Sequence, residues 1–319
     1  MSFDFITIGD SVVDLMISVT RFPKKNEDTV AGEGIIRQLG GVSNILIQAS
    51  RLGLKTGLID LVGSDENGMF FINGLKSERV DVSRIEIRKD HRTAYCICMV
   101  DRKGEHAYIG FPGATKFLTP DRIKEPYIQD SKLLYISGYT LVNSPLREAV
   151  IKAIQIALKT KKHIIFDPSP LVHRIDNNFI EKVIKASEII ILNQRELETI
   201  TSGKDFKEGA KQLIEKGPRK VVIKLGKDGC FVTDKSINKL VPGHQVKVVD
   251  STGAGDAFNA AFIFGYLKCW PIEDIAKFSN AVGALKVTKF GAGLNLPTRN
   301  EIKKFISEFL NMDFVYKID

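Results

Sequence analysis

The sequence predicts an α/β protein, built on a largely parallel sheet layered with helices and carrying a second, smaller sheet outside it. Three observations lead there. Short β-branched runs recur at residues 5–8, 57–62, 133–136, 163–166, 188–192 and 221–225, several of them apolar at consecutive positions, as strands buried on both faces require. Helical patterns lie between many of them, and such alternation implies parallel strands joined by crossover helices. Residues 92–112, in contrast, alternate strictly and read as an antiparallel hairpin.

The clearest helical pattern is Val42, Ile45, Leu46, Ala49 and Leu52, spaced i, i+3, i+4, i+7 and stopped by Gly53. In the hairpin, Thr93, Tyr95, Ile97 and Met99 share one face, and Ala94, Cys96, Cys98 and Val100 the other. Residues 101–105 make the turn, and 107–111 the return strand. Residues 13–19 and 29–38, around a polar connection at 23–28, are expected to pair with this hairpin. No internal repeat or low-complexity linker interrupts the chain.

Composition narrows the function classes. The 319 residues are 44% apolar and 26% charged, close to ordinary soluble proteins, which excludes collagen-like and wholly disordered chains. The longest apolar stretch, the Asn-interrupted 257–267, is far shorter than the ~18–20 residues of a membrane span. Asp4, Asp10 and Asp14 in the first twenty residues fit neither a signal nor a transit peptide, so a cytoplasmic protein without a membrane partner is expected. Cys96, Cys98, Cys230 and Cys269 suit neither a disulfide framework nor a zinc site and read as reduced core thiols. The net charge of +8 does not imply nucleic acid, because the longest basic cluster, Lys159, Lys161 and Lys162, suits a solvated helix end. An anionic small molecule fits that charge equally well. His91, His106, His163, His173 and His244 are scattered without a suitable Cys or Asp partner and read as non-catalytic.

Ligands of open parallel sheets gather beyond the strand ends, here Gly9-Asp10, Asp167, Asn193 and Gly226. The strongest signal is the run Asp250-Ser251-Thr252-Gly253-Ala254-Gly255-Asp256, which precedes a helix apolar on nearly all faces through Leu267. Its glycines leave N–H groups open at a helix N-terminus, where orphan donors and the positive dipole end attract an anion. Asp256 beside the amides of Gly253, Ala254 and Gly255 is placed as a base next to a phosphoryl group in transfer. Walker and dinucleotide fingerprints are absent: there is no G-x-x-x-x-G-K-[ST], and neither Gly253-Ala254-Gly255 nor Gly32-Glu33-Gly34 has the third glycine. Asn193 and Glu196 also suit simple capping of the following helix.

Together with Gly9-Asp10, Asp14, Gly40-Gly41-Val42-Ser43-Asn44, Asn193-Gln194-Arg195-Glu196, Lys224-Leu225-Gly226-Lys227-Asp228-Gly229, Gly291-Ala292 and Leu296-Pro297, this run resembles the ribokinase-like, or PfkB, carbohydrate kinases over essentially the whole chain. The resemblance implies a three-layer α/β/α sandwich with a β-sheet lid: a core of residues 1–12, 36–91 and 112–319, and a lid of 13–35 and 92–111. It implies ATP and Mg²⁺ as cofactors, with Asp256 as base and the amides of Gly253, Ala254 and Gly255 as the anion hole. Asp14, Gly40, Gly41 and Asn44 match positions that hold the acceptor's hydroxyls. Asn193, Lys224, Gly226, Gly229 and Asn280 match the nucleotide side, and Glu196 matches the Mg²⁺ motif that acts through water. Asp250, Thr252 and the 286–295 loop correspond to a monovalent-cation site, hence K⁺.

The expected activity is phosphorylation of a primary hydroxyl on a small free sugar, ribose- or fructose-like. Neither residues 40–44 nor Asp167-Pro168-Ser169-Pro170 supplies a cation for an acidic acceptor. A nucleoside, a 2-keto-3-deoxygluconate-type acid and a non-catalytic sugar- or nucleotide-binding regulator are the alternatives. Because a small sheet cannot bury both faces of its hairpin, one face is expected over the site and the other in a homodimer.

Overall fold

The computed structural model describes residues 2–102, 105–309 and 317–318. The turn residues Lys103 and Gly104 of the expected hairpin lie outside the described residues. In chain order the elements begin with β1 (Phe3–Ile8), β2 (Ser11–Val19), β3 (Ala31–Gly41), α1 (Ser43–Arg51), β4 (Thr56–Gly63), α2 (Glu66–Ser77), β5 (Asp81–Arg88), β6 (Ala94–Val100) and β7 (His106–Phe111). There follow α3 (Glu125–Gln129), β8 (Ser131–Ser137), α4 (Leu146–Lys159), β9 (His163–Asp167), α5 (Asn177–Ala186), β10 (Ile189–Asn193), α6 (Gln194–Thr201), α7 (Phe206–Glu215) and β11 (Lys220–Lys224). The chain ends with β12 (Cys230–Asp234), β13 (Asn238–Val241), α8 (Ala254–Leu267), α9 (Ile272–Val287) and α10 (Arg299–Phe309).

The main sheet runs β13-β12-β11-β10-β9-β8-β1-β4-β5. Its centre is parallel, and β12 joins antiparallel to both β11 and β13. Consecutive apolar residues send side chains to both sides. Phe5, Leu133, Ile165, Ile191 and Val222 enter one buried cluster with α1, α8 and α9, while Ile6, Leu134, Phe166, Ile190 and Ile223 enter another with α4, α5 and α7. Helices therefore cover both faces. Three strands lack the sequence signal used above: β5 is an edge strand mixing Asp81, Arg84, Glu86 and Arg88 with its apolar residues, and β12 and β13 form a short antiparallel ribbon at the opposite edge.

The small sheet runs β3-β2-β6-β7, with β2 antiparallel to β3 and parallel to β6. It reaches Gly41 rather than stopping at residue 35, because Asp14 pairs with Gln38 and Val12 with Gly40, positions whose polar and glycine character hides the strand in sequence. The register puts Asp14, Gln38, Cys96, Cys98, Tyr108 and His106 on one face, and Leu15, Ile35, Ile97, Ile109 and Phe111 on the other. The first face docks on the main body, where Gln38 Oε1 accepts from Ala292 N–H at 2.7 Å. The second buries Val13 and Leu39 in the main core at its base and leaves Ile35, Ile109 and Phe111 exposed.

Candidate active site

Helix α8 is apolar on nearly all sides and is buried from Ala257 to Gly265, packed between α1 and α9. Its N-terminus is thereby fixed by the core. Gly253 caps it with φ +75°, and a Cβ there would lie 3.0 Å from Ala292 Cβ, so this is the position that requires glycine. Gly255 sits within the first helical turn, where an added Cβ would meet only Lys224 Nζ at 3.5 Å. The expectation that all three amides stand open is corrected at Ala254, whose N–H donates to the Ser251 carbonyl at 3.1 Å.

Asp256 follows in that first turn. Burial pushes its carboxyl up to about 7, helped by Asp167 and Asp14 and opposed by Lys224 and a hydrogen bond from Asn44. Asn44 in turn accepts from Gly293 N–H at 2.9 Å, so α1 and the 291–293 loop jointly hold Asp256. Asp14, on the inward face of β2, is also buried and pushed up to about 7, mainly by burial and against a hydrogen bond from Cys98. Asp10 lies in the same group: burial, then Asp60, Asp256 and Asp14, raise its carboxyl well above the usual range.

The paired glycines at the end of β3 let the backbone close around these acids. A Cβ on Gly40 would stand 2.3 Å from the Asp14 carboxyl, and one on Gly41, at φ +54°, 2.2 Å from the Asp10 carbonyl oxygen. Both side-chain deletions are steric requirements.

Across the strand ends, Lys224 Nζ donates to Asp167 Oδ2 at 3.1 Å and to Asn259 Oδ1 at 3.3 Å. Asn193 and Glu196 form a reciprocal capping box at the start of α6, with bonds of 2.9 and 2.8 Å. Glu196 is buried and pushed up to about 7 by burial and Asp167, with Lys224 opposing. Asp167, Glu196 and Asp256 thus crowd one ammonium. That excess of hard carboxylate oxygen suits a divalent cation that keeps several waters. Gly226, at φ +62°, has open space where a side chain would be, whereas a Cβ on Gly229 would strike the Val241 carbonyl at 2.1 Å. Asn280 donates to the Val241 and Pro242 carbonyls at 3.1 and 3.0 Å, so its carboxamide braces the loop.

Asp250 is held just before the N-terminus of α8. Oδ1 accepts from Thr252 N–H and Oγ1 at 2.9 and 2.7 Å, and Oδ2 from Gly291 N–H at 2.7 Å. His106 of β7 places Nε2 at 3.0 Å from the same Oδ1 and 3.2 Å from Thr252 Oγ1. Burial alone would raise this carboxyl, but the bonds from His106, Thr252 and Gly291 keep it well below the usual range. His106 therefore corrects the reading of five unpartnered histidines: its partner lies 144 residues away and only the lid's docking reveals it.

The profile of the pfkB family carbohydrate kinases matches residues 4–299. The chain belongs to this family. Over 316 residues, 96% of each chain, this pfkB-family protein is 29% identical to a 5-dehydro-2-deoxygluconokinase of Bacillus licheniformis. A Clostridium perfringens protein of the same name is 31% identical over 321 residues, 96% of this chain and 93% of its own. Among solved structures, a putative ribokinase II from E. coli in complex with ATP and Mg²⁺ superposes with a TM-score of 0.84 at 23% identity, covering 96% and 99% of the two chains. Aminoimidazole riboside kinase from Salmonella enterica, complexed with aminoimidazole riboside and an ATP analog, superposes with a TM-score of 0.80 at 25% identity, covering 95% and 100%. The fold of this carbohydrate kinase is thus ribokinase-like.

Of the residues singled out from sequence, Asp14, Gly40, Gly41, Asn44 and Asp256 gather around one carboxylate-lined space in the pfkB-family chain. Asn193, Glu196, Lys224 and Gly226 lie along the neighbouring strand ends. Asn280 and Gly229 act on the loop between them. Sequence reasoning placed Asp10 and Asp167 at the strand ends where ligands gather without giving them a site role, and it missed Tyr139. Tyr139 is 42% exposed, yet the protein around its phenol and the nearby Asp10, Asp256 and Asp167 push it up, which puts it at the edge of the acids. Asp167 and Asp10 had a weak signal as strand-end residues; Tyr139 had none. The cysteine reading is corrected at Cys269, which is exposed, and at Cys96, which is half-buried; Cys98 and Cys230 are buried.

Proposed function

We propose that this carbohydrate kinase transfers the γ-phosphoryl group of ATP to a primary hydroxyl of a small sugar. The observation that carries the reading is Asp256, a carboxylate in the first turn of α8, pushed up to about 7 with Asp167 and Asp14 close by. A base is most effective when its pKa lies near the working pH. Asp256 would take the hydroxyl proton at its carboxylate, and the N–H groups of Gly253 and Gly255, with the α8 dipole, would face the transferring phosphoryl oxygens. Asp14 and Asn44 would orient the neighbouring hydroxyls, since carboxylate and carboxamide oxygens accept from them. Lys224, Gly226 and the loop braced by Gly229 and Asn280 would line the nucleotide side. Mg²⁺, held through water by Glu196 and Asp167, would neutralise phosphate charge.

An uncharged acceptor agrees best with this pocket. Residues 167–170 carry no Arg, Lys224 is engaged by Asp167, and an acidic acceptor would add a further negative charge to a buried group of acids already pushed toward protonation. A keto-deoxy sugar acid is the second reading, favoured by the names of the relatives at 29% and 31% identity. An ADP-release assay against free sugars, sugar acids, sugar phosphates and nucleosides separates them. Highest kcat/KM on a free sugar is the expected result; a sugar acid or nucleoside as best substrate would overturn the uncharged-sugar assignment, and no ADP release with any acceptor would overturn the kinase reading.

A further inference from the structure

The 250–252 segment, which the resemblance assigns to a monovalent cation, meets a cation that belongs to the chain. Lys286 lies in the last turn of α9 and is fully buried. A buried ammonium is costly unless oxygens replace its water. Its Nζ donates to the Asp250 carbonyl at 2.9 Å and to the Lys289 carbonyl at 3.2 Å. The second carbonyl lies just beyond the C-terminus of α9, where the helix dipole favours positive charge. Burial lowers the Lys286 amine to about 8, and the attraction of the Asp250 carboxylate opposes that shift, so the group stays an ammonium at neutral pH. The Lys289 charge acts against that ammonium, but its own Nζ is directed to Glu301 at 2.8 and 3.0 Å, leaving the carbonyls to Lys286.

Potassium does not fit this oxygen set. Both oxygens of Asp250 already accept hydrogen bonds, and the Thr252 hydroxyl is spent on Asp250. The two carbonyls face Lys286. A second cation among them would sit against an ammonium in a low-dielectric interior, where like charges repel strongly.

We propose that the Lys286 ammonium is a built-in monovalent cation that ties the 250–252 segment to the 289–291 segment beneath the anion hole, so that turnover needs no potassium. Ammonium and potassium are of similar size, and both are satisfied by backbone carbonyl oxygens. The surrounding bonds transmit the tether: Val249 and Asp250 N–H both donate to the Val287 carbonyl, at 2.7 and 3.2 Å, and Gly253 begins three residues later. Lys286 is a positioning residue, since it touches the loop and not the reacting atoms.

The test holds ionic strength constant, with tetramethylammonium as the inert cation, and measures both kcat and melting temperature. Neither is expected to change for the wild type when potassium replaces tetramethylammonium. Lys286→Met keeps the apolar stem and removes the charge. Its kcat is expected to fall roughly tenfold or more, and both kcat and melting temperature to recover in K⁺ or NH₄⁺ but not in Li⁺, a size selectivity that a merely structural loss would not show. Activation of the wild type by potassium of about twofold or more would overturn the proposal, as would a folded Lys286→Met protein indifferent to the cation. If Lys286→Met does not fold, Lys286→Gln takes its place, and the wild-type response still decides. The kinetic arm rests on the kinase reading above; the melting arm does not, so the two fail separately.

Discussion

At the scale of single residues, Asp256 carries the most specific consequence. Asp256→Asn removes the base while keeping shape and hydrogen bonding, and kcat is expected to fall at least ~10²-fold with ATP affinity retained. Steady-state kinetics and nucleotide titration check both halves. Because its carboxyl is pushed up to about 7 and must be ionised to accept a proton, kcat/KM is expected to decline as pH drops below that value and to level off above it. A rate independent of pH between ~5 and ~8 would remove Asp256 from the role. Asp256 was legible in the sequence because it stands inside a motif whose glycines have few other uses, and Asp14 only through the family resemblance. His106 and Tyr139 were not. Their partners are distant in the chain, and neither periodicity nor composition records a contact made by docking one sheet on another.

The strands of the small sheet show how element-level packing sets the proposed acceptor pocket. Strand β3 can lie against β2 at the Asp14 position only because Gly40 has no side chain. Gly40→Ala is therefore expected to displace the Asp14 carboxyl and raise KM for the sugar at least ~5-fold, with KM for ATP nearly unchanged. Equal rises in both constants would point to a general loss of fold. The six apolar runs that marked the main sheet are strands because burial on both faces leaves a continuous hydrophobic signature. The same logic explains the misses: β5 is an exposed edge with charges on it, and the end of β3 is written in Gln38, Gly40 and Gly41, residues that look like loop until their pairing is seen.

At the scale of the whole molecule, the outward lid face is the largest unspent apolar feature of the second sheet. Ile35 on edge strand β3 is 63% exposed, and Ile109 on the opposite edge strand β7 49%, with Phe111 beside Ile109. A homodimer through this face is the proposed assembly. Sedimentation of the wild type is expected to give a dimer, and Ile109→Glu a monomer; a wild-type monomer at micromolar concentration would refute the assembly without touching the kinase reading. The buried acids also make stability depend on pH. Asp14, Asp256 and Glu196 titrate near 7 when folded, against ordinary values of 3.8, 3.8 and 4.5. Between those limits the folded state binds protons that the unfolded state releases, so stability gained from protonation is lost as pH rises through 7. The ligand-free protein is expected to melt at a higher temperature at pH ~6 than at pH ~8, and Asp14→Asn to flatten the difference.

Helix α8 places the two halves of the proposed reaction on opposite rungs of a ladder of local opening. Its backbone from Ala257 to Gly265 is enclosed by the main core, whereas the lid enters that core at its base, through Val13 and Leu39, and elsewhere meets the body through polar contacts such as His106 on Asp250 and Gln38 on Ala292. Amide protons of α8 should then exchange with solvent only through global unfolding, and those of β6 and β7 through far cheaper sub-global excursions. Sugar can come and go by way of the second kind of event while the donors aimed at the phosphoryl group never leave their places, so each turnover starts from a site that does not have to be rebuilt.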